Sequence, residues 1–258
     1  MTTQIVTLWV GPALGRMERM CLASFVAHGH PVALYGYGEI GNLPPGVERR
    51  DAATVVPASD LQRIAGTPPA LALFADYFRL RLMQRSAGLW VDTDVACLRP
   101  FEVEGDFVAG WESADYINNA VLRLAPDSPI LADALAILAS GRTPDWTPFH
   151  RAPAARLKTL VGRRVAPWEL PRGTFGPKAM TALARRHGLT QAARPAEVFY
   201  PLHPRLAERL YDPTLQLGDI VTERSLTIHL WNEKLSGLKS TEPPPGSILA
   251  ALFARYPG

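Results

Sequence analysis

Gly88-Leu89-Trp90-Val91-Asp92-Thr93-Asp94-Val95 sets two carboxylates at the end of an apolar run that reads as a buried β-strand. Side chains two apart on a strand share a face, so Asp92 and Asp94 are expected to point the same way. Like charges held that close repel unless a cation lies between them. A hard divalent ion, Mg²⁺ or Mn²⁺, takes oxygen ligands and keeps positions open for substrate phosphates. The pair therefore points to a metal and phosphate site. A solvated strand exit also produces Asp-x-Asp by chance, and the residues upstream decide between the two.

Pro69 to Arg85 reads as a helix, because Leu71, Phe74, Phe78 and Leu82 recur every three or four residues as a buried stripe does. Thr67 suits its cap, Pro68 its first turn and Gly88 its exit. Asp76 and Arg79, three apart, then lie on one helical edge. Either they form an ordinary surface ion pair, worth little, or they accompany the Asp-x-Asp.

Working outward, strand and helix patterns alternate. Gln4 to Val10, Pro31 to Tyr37 and Val47 to Val56 read as strands, with a helix from Arg16 to His28 between the first two. After the Asp-x-Asp, strands are expected at Phe107 to Trp111 and Ile117 to Leu124. Helices follow at Pro129 to Ser140 and Lys178 to His187, the latter stopped by Gly188. Ser225 to Trp231 reads as a late strand and Ile248 to Tyr256 as a last helix, spaced by Pro243-Pro244-Pro245. This alternation predicts an α/β fold, a Rossmann-like and mostly parallel central sheet flanked by helices. Ligands in such sheets bind beyond the carboxyl ends of the strands, where Asp92 is expected.

The 258 residues suit a single α/β domain over 1–258, with no repeat or composition break. No apolar run approaches a membrane span, and no basic stretch followed by an apolar core opens the chain. A cytoplasmic protein is expected, associated at most peripherally with the inner face of the membrane. The net charge of +3 is small and its arginines are dispersed, which argues against nucleic acid as a partner. Cys21 and Cys97 lack metal-ligand spacing and read as small buried hydrophobes.

Ala75-Asp76-Tyr77-Phe78-Arg79 followed by Ala87-Gly88-Leu89-Trp90-Val91-Asp92-Thr93-Asp94-Val95 resembles the pattern SDxxR…GGxYxDxD of family 32 glycosyltransferases. That family includes capsular polysaccharide synthesis enzymes and yeast mannosyltransferases of outer-chain initiation, with the clostridial glucosylating toxins as distant relatives. The chain departs from the pattern at Ala75, usually Ser, and at Ala87, the first of two Gly. Neither change removes a charged ligand.

The resemblance implies a glycosyltransferase A fold and retaining transfer of a sugar from a nucleotide diphosphate to an acceptor hydroxyl. UDP-sugars are the first choice of donor and GDP-mannose the next; the acceptor is a glycan or a lipid-linked saccharide. Asp92 and Asp94 would hold Mn²⁺ or Mg²⁺, and Asp76 and Arg79 would grip the donor sugar, with Asp94, Asp76 and Arg79 the catalytic set. Trp9, in Trp9-Val10-Gly11, resembles a tryptophan lying against the nucleotide base, though a core role is equally open. Asn119, in Ile117-Asn118-Asn119-Ala120, resembles an asparagine bordering the sugar pocket, or serves the strand end. Gly176-Pro177 resembles a helix entry, which simple helix initiation also explains. His229, in His229-Leu230-Trp231-Asn232, resembles a late element near the metal and diphosphate, where a neutral imidazole could ligate; a structural histidine is the alternative. Lys234 stands where the family has a further Trp and could share the anionic load.

Two other classes use similar residues. A haloacid dehalogenase-type phosphohydrolase also places Asp-x-Asp after a strand, the first Asp attacking phosphorus. That motif ordinarily opens its chain and is followed by an adjacent acidic pair, which is lacking after position 94. A catalytically silent carbohydrate- or nucleotide-binding module is the third class.

Overall fold

The computed structural model describes residues 2–65, 70–171, 173–238 and 241–258. The first half holds β1 (Ile5–Leu8), α1 (Arg16–Ala27), β2 (Val32–Gly36), β3 (Val47–Asp51), α2 (Ala58–Ala65), α3 (Ala70–Met83), β4 (Leu89–Val91), β5 (Val95–Cys97), β6 (Phe107–Trp111) and β7 (Ile117–Leu124). The second half is mainly helical: α4 (Pro129–Ser140), α5 (Pro153–Leu160), α6 (Pro177–Arg186), α7 (Ala196–Phe199), α8 (Leu217–Ile220), β8 (Thr227–His229) and α9 (Ile248–Arg255). Among the described residues no helix is long and apolar enough to cross a membrane.

Six strands form the central sheet in the order β3-β2-β1-β4-β7-β6. The first four are mutually parallel, β7 runs against β4, and β6 runs against β7. Only β7 is therefore reversed. The inner strands β1 and β2 are buried on both faces and read as continuous apolar runs, as parallel strands under helices do. Glu48, Arg49 and Arg50 of β3 mark it as a charged, solvated edge.

Alternate residues of each strand feed different layers. Ile5, Leu34, Leu89 and Val91 join the cluster that contains Met20, Phe25 and Leu252 of α1 and α9. Val6, Ala33, Tyr35 and Trp90 join the cluster that contains Phe74, Phe78, Ile130 and Met180 of α3, α4 and α6. The period of two in the pleat thus produces helices on both faces of the sheet. A separate antiparallel ribbon pairs β5 with β8, Val95 opposite His229.

The α/β architecture agrees with the sequence reading, and β6, β7 and α4 have the expected bounds. The expected cap Thr67, with Pro68 and the start at Pro69, lies outside the described residues. Three expectations need correction. Asp92 and Asp94 do not sit on a strand: β4 ends at Val91, and the turn between β4 and β5 carries both. The Val95 N–H donates to the Asp92 carbonyl at 3.1 Å, closing that turn, so they converge through turn geometry rather than the pleat. Leu71 is exposed, because the buried stripe of α3 begins at Phe74. The late strand spans only 227–229, and β5, α2 and α5 had no clear sequence signal.

Gly88 connects α3 to β4 with φ +141°, and a Cβ there would lie 2.6 Å from the Gln4 carbonyl oxygen. Only glycine lets β4 enter beside β1 at this point. Cys21 and Cys97 are free and buried, as expected.

Candidate active site

The turn that carries the carboxylates leaves the sheet at the carboxyl end of β4. The Asp92 N–H donates to the Ala120 carbonyl of β7 at 2.8 Å, fixing the backbone before the turn. Its side chain is held as firmly. Asp92 Oδ1 accepts from the Trp90 indole N–H at 2.7 Å and pairs with Arg79 Nη2 at 2.9 Å. The carboxylate nevertheless keeps 29% of its surface exposed, so it is fixed but reachable.

Asp94 is bound by the end of the chain. The Leu230 N–H donates to its carbonyl at 2.9 Å and the Asn232 N–H to its Oδ2 at 2.9 Å, while His229 Nε2 lies 3.1 Å from Oδ1. The β5–β8 ribbon brings residues 94 and 229 together across the intervening chain. Trp231, at φ +53°, turns the backbone back toward Asp94 and stacks on His229 with ring centroids 3.8 Å apart. The Asn232 amide donates to Glu18 of α1 at 3.0 Å, anchoring the turn from outside.

Burial alone would push the Asp94 carboxyl up, but the His229 charge, together with hydrogen bonds from His229 and from backbone N–H groups, outweighs it and holds the pKa below the usual value. Burial would likewise pull His229 down, and the Asp94 charge prevails to raise it. Each thus favours the charged form of the other. One ligand atom each from Asp92, Asp94 and His229 lies within 4.8 Å of the others. Two carboxylates and an imidazole at that spacing suit a divalent cation, with room for further ligands.

Beside this trio is a second, more deeply buried polar group. Asp76 and Arg79 of α3 are 9% and 4% exposed, so they are no surface pair. The Asn119 amide donates to Asp76 Oδ1 at 2.9 Å, and Arg79 Nη2 stands 3.7 Å from the same oxygen. Arg79 also donates to the Asn119 carbonyl and lies over the Trp90 ring, 4.8 Å from its centroid. One guanidinium thus ties together α3, β4 and β7. Burial raises the Asp76 carboxyl above its ordinary pKa, opposed by Arg79 and Asn119. Gly176, the N-cap of α6, faces this pair: a Cβ there would lie 3.6 Å from Asp76 Oδ2 and 3.7 Å from Asn119 Oδ1.

Two further sequence candidates follow β1 and β8. Trp9 follows β1 at the same end of the sheet, half-buried, its indole N–H donating to the Ala13 carbonyl at 3.0 Å. Lys234 is exposed in the turns after β8, and its charge, with those of His229 and His203, acts on Glu112. Glu112, which accepts from the Asn118 amide and is pushed up by burial, had no distinguishing sequence signal. Neither had Glu18. Asn232 stood within a quoted motif, but its role depends on its backbone N–H, which residue identity does not reveal.

No protein-family model matches the chain, and no curated protein matches it in sequence. Among solved structures, it is similar to a chain titled "PaToxG Glycosyltransferase" at 13% identity and a TM-score of 0.49, over 73% of this chain and 71% of that one.

Proposed function

We propose that the chain is a metal-dependent glycosyltransferase of the glycosyltransferase A type, acting as one catalytic domain over 1–258. It moves a sugar from a nucleotide diphosphate, UDP first and GDP with mannose next, to a hydroxyl of a glycan or lipid-linked acceptor, with retention. The observation that carries this reading is the meeting of Asp92, Asp94 and His229 within 4.8 Å, beside the buried Asp76–Asn119 pair and beyond the carboxyl ends of the strands.

The donor set suits Mn²⁺ better than Mg²⁺, because an imidazole joins the carboxylates. Such an ion, when bound, neutralises the departing diphosphate as a Lewis acid. Asp92 and Asp94 are its ligands, and His229 can join them once it has lost its proton. Asp76 Oδ2 and Asn119 Oδ1 are oriented to accept hydrogen bonds from donor-sugar hydroxyls, with Gly176 leaving the space beside them clear. Fixing the sugar there converts a diffusing donor into an oriented one. Arg79, with 5% of its side chain exposed, acts as a positioning residue that holds Asp76 and Asp92 in place. Trp9 offers an aromatic face to the base and Lys234 a charge to the diphosphate. Asp92, clamped by Arg79 and Trp90 on a single oxygen, is better suited to ligation than to attack on phosphorus.

Thermal-shift titration with UDP and GDP, with and without Mn²⁺, tests the reading. A ligand that binds only the native state stabilises it, so one nucleotide should raise Tm only when Mn²⁺ is present. No metal-dependent shift with either would overturn the proposal.

A further inference from the structure

We infer that a cleft along α6, the helix whose first residues face the Asp76–Asn119 pair, seats an anionic group of the acceptor, which is therefore an acidic saccharide or a sugar phosphate. The acceptor role rests on the glycosyltransferase reading; the charge of the ligand rests on the cleft alone. Its volume is about 420 Å³, and Arg151, Lys178, Arg185, His150, Trp146 and Tyr116 line it. No carboxylate is among the lining residues. Arg151 and Lys178 have no ion pair with any described residue, and burial together with the charge of Arg151 pulls the Lys178 ammonium below its usual pKa. Cations crowded in a concave wall without counter-ions leave a positive potential that an anionic ligand relieves. Trp146 and half-exposed Tyr116 add aromatic surface for the carbon face of a sugar, the Trp146 ring being fixed by its N–H bond to the Thr174 carbonyl at 2.7 Å.

Helix α6 connects this cleft to the candidate donor site. Gly176 at its start faces Asp76 and Asn119, Lys178 follows two residues later, and Thr181 and Arg185 line the cleft on successive turns. Thr181 Oγ1 accepts from the Ile117 N–H at 2.8 Å, joining the cleft to the strand that bears Asn119. Gly176 to Thr181 spans roughly 8 Å of helix rise, the reach of one or two sugar units.

The test uses the full chain without donor or metal, so its outcome is independent of whether nucleotide binds. Calorimetry would compare glucose 6-phosphate and glucuronate with neutral glucose and with inorganic phosphate. Both charged sugars should bind at least about tenfold more tightly than glucose, as charge-assisted hydrogen bonds require. The double variant Arg151→Gln/Lys178→Gln should abolish that difference, and single Arg185→Gln should reduce it, with circular dichroism unchanged. Lys158→Gln, outside the cleft, should leave it intact. Equal affinity for charged and neutral sugars, or a loss with Lys158→Gln as large as with the double variant, would overturn the inference. Inorganic phosphate binding as tightly as glucose 6-phosphate would overturn it too, since the cleft would then hold free anions rather than sugars.

Discussion

Helices α3 and α5 reverse the usual distribution of side chains in opposite directions. α3 buries charge, with Asp76 and Arg79 9% and 4% exposed, whereas α5 and the turn after it expose Leu157, Leu160 and Val161 at 58%, 76% and 63%. The cause is position. α3 lies against the sheet, where its polar edge meets Asp92 and Asn119, so each charge gains a partner that opposes its desolvation. Among the described residues α5 contributes to the apolar interior only through a satellite cluster of Ala152, Ala155, Val165, Leu170 and Phe175, which needs one narrow face of the helix. Buried charge in this chain therefore marks the candidate site, and exposed apolar surface marks its periphery.

The contrast can be broken most directly at Arg79. Arg79→Ala would leave Asp76 and Asp92 facing each other without their shared cation, at a cost of about 3–5 kcal/mol. For a chain of this size that corresponds to a fall in Tm of about 10 °C, read by calorimetry. A fall of only a degree or two would mean that the buried network contributes little and that α3 is held by Phe74 and Phe78 alone.

A smaller effect is expected from protons at the metal trio. His229 has a raised pKa in the folded protein, so below that value it is protonated and must release a proton to ligate. Mn²⁺ affinity should therefore rise as pH rises through the His229 pKa and level off above it, beyond what Asp92 and Asp94 alone would give. In the metal-free protein the sign differs. The depressed Asp94 loses its stabilising contribution as pH falls through its folded pKa, and the raised His229 loses its own as pH rises through its folded pKa. The ion pair contributes most between those two points. Titration of Mn²⁺ binding in wild type and in His229→Ala separates the two effects, because only the wild type should show the histidine step.

The smallest effect belongs to α5. Leu160→Ser removes an exposed side chain and should change stability by no more than about 0.5 kcal/mol in denaturant titration. A clear loss would show that this face is covered in solution and would remove the contrast with α3.

What was legible in the sequence follows from how local each signal is. The apolar runs of β1, β2 and β4 and the stripe of Phe74, Phe78 and Leu82 are local, and they specified the layered α/β architecture. Asp76, Arg79, Asp92 and Asp94 were visible as a spaced set within 19 consecutive residues, 76–94. That β4 ends at Val91 and a turn follows was not visible, because the backbone entering the turn is fixed by a hydrogen bond from Asp92 to β7, whose pairing is non-local. Glu18, Glu112 and the Asn232 backbone are in the same position. Each acts through a contact formed only when distant segments meet. The exposed face of α5 carried no period that distinguished it from a loop.

The central claim is that Asp92, Asp94 and His229 hold a metal that makes sugar transfer possible. Its most direct test is Mn²⁺-dependent release of nucleotide diphosphate from UDP-sugars and GDP-mannose, measured for wild type and for Asp94→Ala alongside circular dichroism. The account predicts metal-dependent turnover in wild type and a loss of at least about a hundredfold in Asp94→Ala, a few kcal/mol of transition-state stabilisation, with the fold intact. Full turnover in a well-folded Asp94→Ala protein would contradict it.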